Sequence, residues 1–128
     1  MKKLIALLVT ILSVSATSVT AADEAKPEVK PITKLMLARL GWVQSITKNI
    51  AYSNYEGIAK DANDLAAQTK KVGDAAPAPF NKEKNLAISD LARAMADAAG
   101  KKDGVTASAK LGEILGTCNS CHAKLRDK

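Results

Sequence analysis

The chain has 128 residues with 19 Lys and Arg against 13 Asp and Glu, a formal net charge of +6. So modest an excess, dispersed as single lysines rather than arginine-rich blocks with interleaved aromatics, argues against a nucleic-acid partner. Trp42, Tyr52, Tyr55 and Phe80 are the whole aromatic complement, so the polypeptide alone has little bulk with which to fill an interior.

Lys2 and Lys3 precede an apolar run from Leu4 to Val14 and then small residues, the order of a secretory signal peptide. Small residues suit a cut after Ala21 or Ala22. The run falls short of the ~20 residues that span a bilayer, which makes a membrane anchor the weaker reading, and no later segment is long and apolar enough to cross one. Cleavage after Ala22 leaves residues 23–128 as one domain of 106 residues and formal charge +4, delivered to the periplasm.

Four apolar repeats at helical spacing follow, and no segment alternates like a strand. The first helix starts near Pro31, a residue suited to the first helical position, and runs to about Ala51. Its stripe is Ile32, Met36, Leu40, Val43, Thr47 and Ile50. Ser53-Asn54-Tyr55-Glu56 has the form of a capping box and opens a second helix, which buries Tyr55, Ile58, Ala59, Ala62, Leu65, Ala66 and Thr69 and ends near Gly73. Pro77 and Pro79 mark 74–80 as a loop. Asn81 is the expected cap of a third helix with the seam Ile88, Leu91, Met95 and Ala98, closed by Gly100 in a left-handed turn. Asp103 caps a fourth helix over roughly 105–126. Short links make two antiparallel hairpins, hence an all-α, up-down-up-down four-helix bundle.

Cys118-Asn119-Ser120-Cys121-His122 is the C-x-x-C-H pattern of covalent c-type haem attachment. Two thiols reach the two vinyl groups at one edge of a porphyrin, and the imidazole that follows binds the iron. At about 100° per residue, positions 118, 121 and 122 share one helix face with Leu111, Ile114, Leu115 and Leu125. The expected ligands therefore lie in the stripe that the fourth helix must bury, and one haem c, iron included, belongs to the interior.

Three other readings of the cysteines are open. A thioredoxin-like pair sits at a helix N-terminus, where the dipole lowers the thiol pKa, whereas this pair lies near the end of the last helix. A zinc site needs a fourth ligand, and the chain has no other Cys or His. An exported disulfide suits the compartment but leaves His122 without a role.

Signal peptide, four-helix bundle and C-x-x-C-H near the end of the last helix together make the chain resemble the cytochrome c′ family, over essentially the whole mature length. Arg126, one turn after His122, falls where that family commonly carries a cation beside the proximal pocket; the alternative is a solvated charge at a helix C-terminus. The resemblance implies that a first-helix side chain faces the iron opposite the histidine. Methionine there gives a six-coordinate iron that carries electrons, and an apolar residue gives a five-coordinate iron open to NO and CO. Met36 is the candidate distal ligand, with core filling as the alternative; Leu40 is the distal group under the five-coordinate reading. Met95 reads as packing. Arg39 flanks the same stripe and pairs with a haem propionate or is simply exposed.

The leading expectation is an electron carrier with a His122- and Met36-ligated iron, docking on a redox partner with an acidic patch. The runner-up is NO or CO binding, and a haem-free helical protein with a disulfide comes third. No acid pair or activated nucleophile can be assembled, and Met36, Leu40 and Val43 offer no polar distal pocket for peroxidase-like chemistry, so an enzyme is not expected. The resemblance also implies a homodimer through the first two helices, where Trp42, Tyr52 and Tyr55 are available; Tyr55 is equally well a core residue.

Overall fold

The structure, a computed structural model, describes residues 30–126. They form α1 (Pro31–Ala51), α2 (Tyr55–Ala75), α3 (Pro79–Gly100) and α4 (Gly104–Arg126), with no strand among the described residues. The expected all-α four-helix arrangement is what these residues adopt. The signal peptide expected over 1–22 lies outside the described residues.

Local chemistry sets the helix ends, in places a residue or two from where the sequence pattern puts them. Pro31 opens α1 as anticipated, and the Lys30 carbonyl accepts from the Thr33 and Lys34 amides. The serine of the expected capping box does not cap. Ser53 takes a left-handed φ of 54° to end the first hairpin's turn, which moves the cap to Asn54, whose side chain accepts from the Gly57 amide at 3.2 Å. A Cβ at Gly57 would sit 2.6 Å from the Asn49 and Asn54 side-chain amides, which would have to move aside.

Helix α2 continues past Gly73 to Ala75. Gly73 is a packing contact rather than a stop: it is buried, and a Cβ on it would lie 3.0 Å from Leu86 of α3. Helix α3 begins at Pro79, before Asn81, because proline supplies a preset helical φ and gives up an amide that has no partner anyway. Gly100 is helical, and Lys102 with φ 58° makes the left-handed turn instead. Asp103 caps α4 as expected, its Oδ1 accepting from the Thr106 amide at 3.0 Å.

The core is built mainly from α2 and α3, whose facing alanines (Ala62, Ala66, Ala92, Ala96 and Ala99) bring the helices close together. Ile46, Ile58, Leu65, Met95 and Ile114 fill it and are at most 1% exposed. Each such side chain contributes about 1.5–3 kcal/mol by leaving water. In the stripe of α2, Ile58, Ala62, Leu65, Ala66 and Thr69 are buried as read, and Tyr55 and Ala59 are half-buried. That of α1 is rotated: Ile46 carries the burial, whereas Thr47 is exposed and Ile32 and Leu40 are 56% and 49% exposed. The first half of α1 holds no fully buried residue, and in α4 the last is Ile114. The packed interior thus occupies the end of the bundle near the two hairpin turns and gives way towards the other end.

Candidate functional site

Where the core stops, a cleft of about 580 Å³ opens among all four helices. Ile32, Leu35 and Met36 of α1, Val72 of α2, and Cys121 and Leu125 of α4 supply its apolar wall. A smaller pocket of about 50 Å³ adjoins it, lined by Met36, Arg39, Lys84, Asn85, Ile88, Cys118, Cys121 and His122. Met36, Arg39, Asn85 and Cys121 belong to both. The cleft lies within the ~300–1,000 Å³ range of cofactor-sized sites. Two other surface depressions, of about 640 and 670 Å³, lie against the hairpin turns and on the α2–α3 face, and neither gathers a thiol or an imidazole.

Helix spacing brings the motif to this place. One turn beyond Ile114, Cys118 is half-buried against the core; Cys121 follows at the cleft wall and His122 is exposed at the pocket's rim. Both cysteines are free thiols. Burial pushes the Cys118 thiol up, partly countered by the nearby Arg39 guanidinium. His122, Leu115 and Leu125, all expected in the buried arc, are exposed, the two leucines at 47% and 53%. They lie beyond the packed half of the bundle, and Leu125 faces the cleft. Among the described residues no cluster of three or more His, Cys, Asp or Glu side chains is placed to hold a bare metal ion.

Met36 of α1 and Cys118, Cys121 and His122 of α4 therefore line one space from two neighbouring helices. Leu40 does not line it; the α1 leucine that does is Leu35, because the rotation of α1 carries position 40 outward. Val43 packs against the core instead. Met95 is fully buried in that core, away from the cleft. Trp42 and Tyr55 also pack against the core, and Tyr52 is 75% exposed. Arg126 closes α4, and its side chain lies outside the described residues.

The cleft is less apolar than Met36, Leu40 and Val43 suggested. Arg39 Nε donates to Gln68 Oε1 at 2.8 Å, Arg39 Nη2 donates to Asn85 Oδ1 at 2.6 Å, and Asn85 Nδ2 donates to the Asn81 carbonyl at 2.7 Å. Burial lowers the Arg39 pKa, yet a guanidinium stays charged in a protein. It has no carboxylate partner among the described residues. Gln68 Nε2 is shielded from water and unpartnered. Its identity as nitrogen follows from the Arg39 donor, which demands the oxygen on the other side of the amide. Sequence reading missed Gln68 and Asn85. The available signal was their register, Gln68 beside Leu65 and Thr69 and Asn85 one turn before Ile88.

The chain matches no family model, no curated protein and no solved structure. Its own residues carry the reading.

These residues suit a covalent haem chemically. Two thiols at attachment spacing, an imidazole and a thioether face one space, and an unneutralised guanidinium beside an orphaned amide donor matches a carboxylate group. The seam between α1 and α4, the least intimate of the packed pairs, crosses this cleft.

Proposed function

We propose that this chain is an exported c-type cytochrome of the cytochrome c′ kind, carrying electrons through one covalently held haem. The observation that carries the reading is the convergence of Met36, Cys118, Cys121 and His122 on one pocket from α1 and α4. When bound, the haem supplies a one-electron iron couple whose potential the surrounding protein tunes.

The chain's residues divide the work. Cys118 and Cys121 would hold the porphyrin by two thioether links, and His122 would give the iron a nitrogen ligand from α4. Met36 would offer the iron a thioether from α1. Leu35 and Val72, half-buried in the cleft wall, would keep water from the ring. Arg39, steadied by Gln68 and Asn85, binds and orients a propionate; its fork makes the bidentate contact that a lysine ammonium does not. We assign no residue a catalytic role.

The second reading, a five-coordinate iron that binds NO or CO, uses the same attachment with Met36 as packing. Met36's place in the walls of both cavities favours ligation. Optical spectra decide between them: His/Met ligation gives a low-spin spectrum with the far-red band of methionine on ferric iron, whereas the gas-binding protein has a high-spin ferrous spectrum that changes on exposure to CO.

A further inference from the structure

The lysines that look dispersed along the sequence are polarised in the fold. Antiparallel packing puts the start of α1, the end of α2, the start of α3 and the end of α4 together around the cleft. Dividing each helix at its middle, this end (residues 30–41, 65–89 and 115–125) holds eight Lys and Arg against two acidic residues, a net +6, and +4 with the two propionates of the proposed haem counted. The opposite end (42–64 and 90–114) holds six against seven, a net −1. Both acidic residues at the cleft end are already paired, Asp74 with Lys70 at 2.6 Å and Glu83 with Lys84 at 2.9 Å. Lys34, Lys71, Lys82 and Lys124 have no carboxylate partner among the described residues.

The centre of this end is apolar. Ile32 and Leu125, at the mouth, are 56% and 53% exposed, and Pro77 beside them is exposed too. Phe80 is held between two cations, with Lys124 Nζ 4.0 Å and Lys84 Nζ 5.5 Å from its ring centroid, which ties the start of α3 to the end of α4 at the rim. An apolar centre ringed by unpaired charge of one sign is the anatomy of a protein interface.

We propose that this end of the bundle is the docking face for a protein partner bearing an acidic patch, with Lys71, Lys82 and Lys124 steering the encounter. A protein suits the face better than a membrane, because the apolar residues sit in a recessed cleft mouth rather than on a protruding amphipathic helix surface. That the partner exchanges electrons rests on the cytochrome reading; the face itself does not.

The test maps amide shifts of the full, natively matured protein, labelled with nitrogen-15, as poly-L-glutamate is added. The expected shifts cluster at the cleft end and fade with salt. Charge reversal there (Lys82→Glu with Lys124→Glu) weakens binding by about tenfold or more, and the same change of net charge at the far end (Lys101→Glu with Lys102→Glu) weakens it by less than about threefold. Equal weakening by the two pairs overturns the proposal, since net charge alone is then being read. Vesicles containing phosphatidylglycerol that bind the protein where poly-L-glutamate does not also overturn it, in favour of an anionic membrane. A colourless protein that still gives the localised map sinks the cytochrome reading and leaves the docking face standing.

Discussion

Arg39 of α1 donates to Asn85 of α3 at 2.6 Å, across the boundary where the packed core ends and the cleft begins. With its second bond to Gln68 of α2, this side chain joins three helices at the level where apolar packing no longer does so. Removing it strands partly buried acceptors, at about 1–3 kcal/mol. Arg39→Gln is expected to lower urea-unfolding stability by an amount in that range. Arg39→Lys is expected to recover little of it, because an ammonium does not reproduce the fork. Full recovery by lysine would show that charge, not geometry, is what the site uses.

The rotated stripe of α1 makes Ile46 its anchor. Ile46→Ala removes a side chain that is 0% exposed and is expected to cost about 2–5 kcal/mol, measured by thermal or urea unfolding. Leu40→Ala, on the outward side, is expected to cost far less. Equal losses would return α1 to the register that its apolar pattern suggested.

That register shows how much was legible. The four helices, the α2 stripe, the Asp103 cap and the placing of Cys118 and Cys121 follow from spacing and capping chemistry that act within a few residues. The α1 stripe does not, because Ile32 and Leu40 satisfy the same period as Ile46, and only contact with the other helices chooses between them. Ser53 and Gly73 depart from their local pattern for a related reason: one serves a left-handed turn and the other a close helix crossing, and both demands come from elsewhere in the fold. The Arg39, Gln68 and Asn85 network escaped a reading that follows apolar periodicity.

Asp103 gives the fold a predictable acid limb. Bonds from the Thr106 hydroxyl and amide hold its carboxyl below the usual aspartate range. A depressed folded pKa means that the contribution is complete above the unfolded value of about 3.9 and is lost as pH falls from there through the lower folded value. In Asp103→Asn the amide oxygen still accepts at the cap, but this titration is gone. Urea unfolding across that acid range is expected to show a shallower fall of stability with decreasing pH than in the parent; identical slopes would mean that the cap bonds do not favour the charged carboxylate.

Met36→Ala is expected to abolish the far-red band of the ferric protein and leave an iron that binds CO when reduced. Met95→Leu, a near volume-preserving swap in the buried core, is expected to leave the band in place. Survival of the band in Met36→Ala would remove Met36 from the iron.

The measurement that bears most directly on the central claim is whether natively matured protein keeps its colour through acidified acetone, read together with its intact mass. One porphyrin per chain is expected to resist extraction, and to be lost when Cys118 and Cys121 are both replaced by serine. Colourless protein, or colour that washes out to leave the mass of the bare polypeptide, would contradict it.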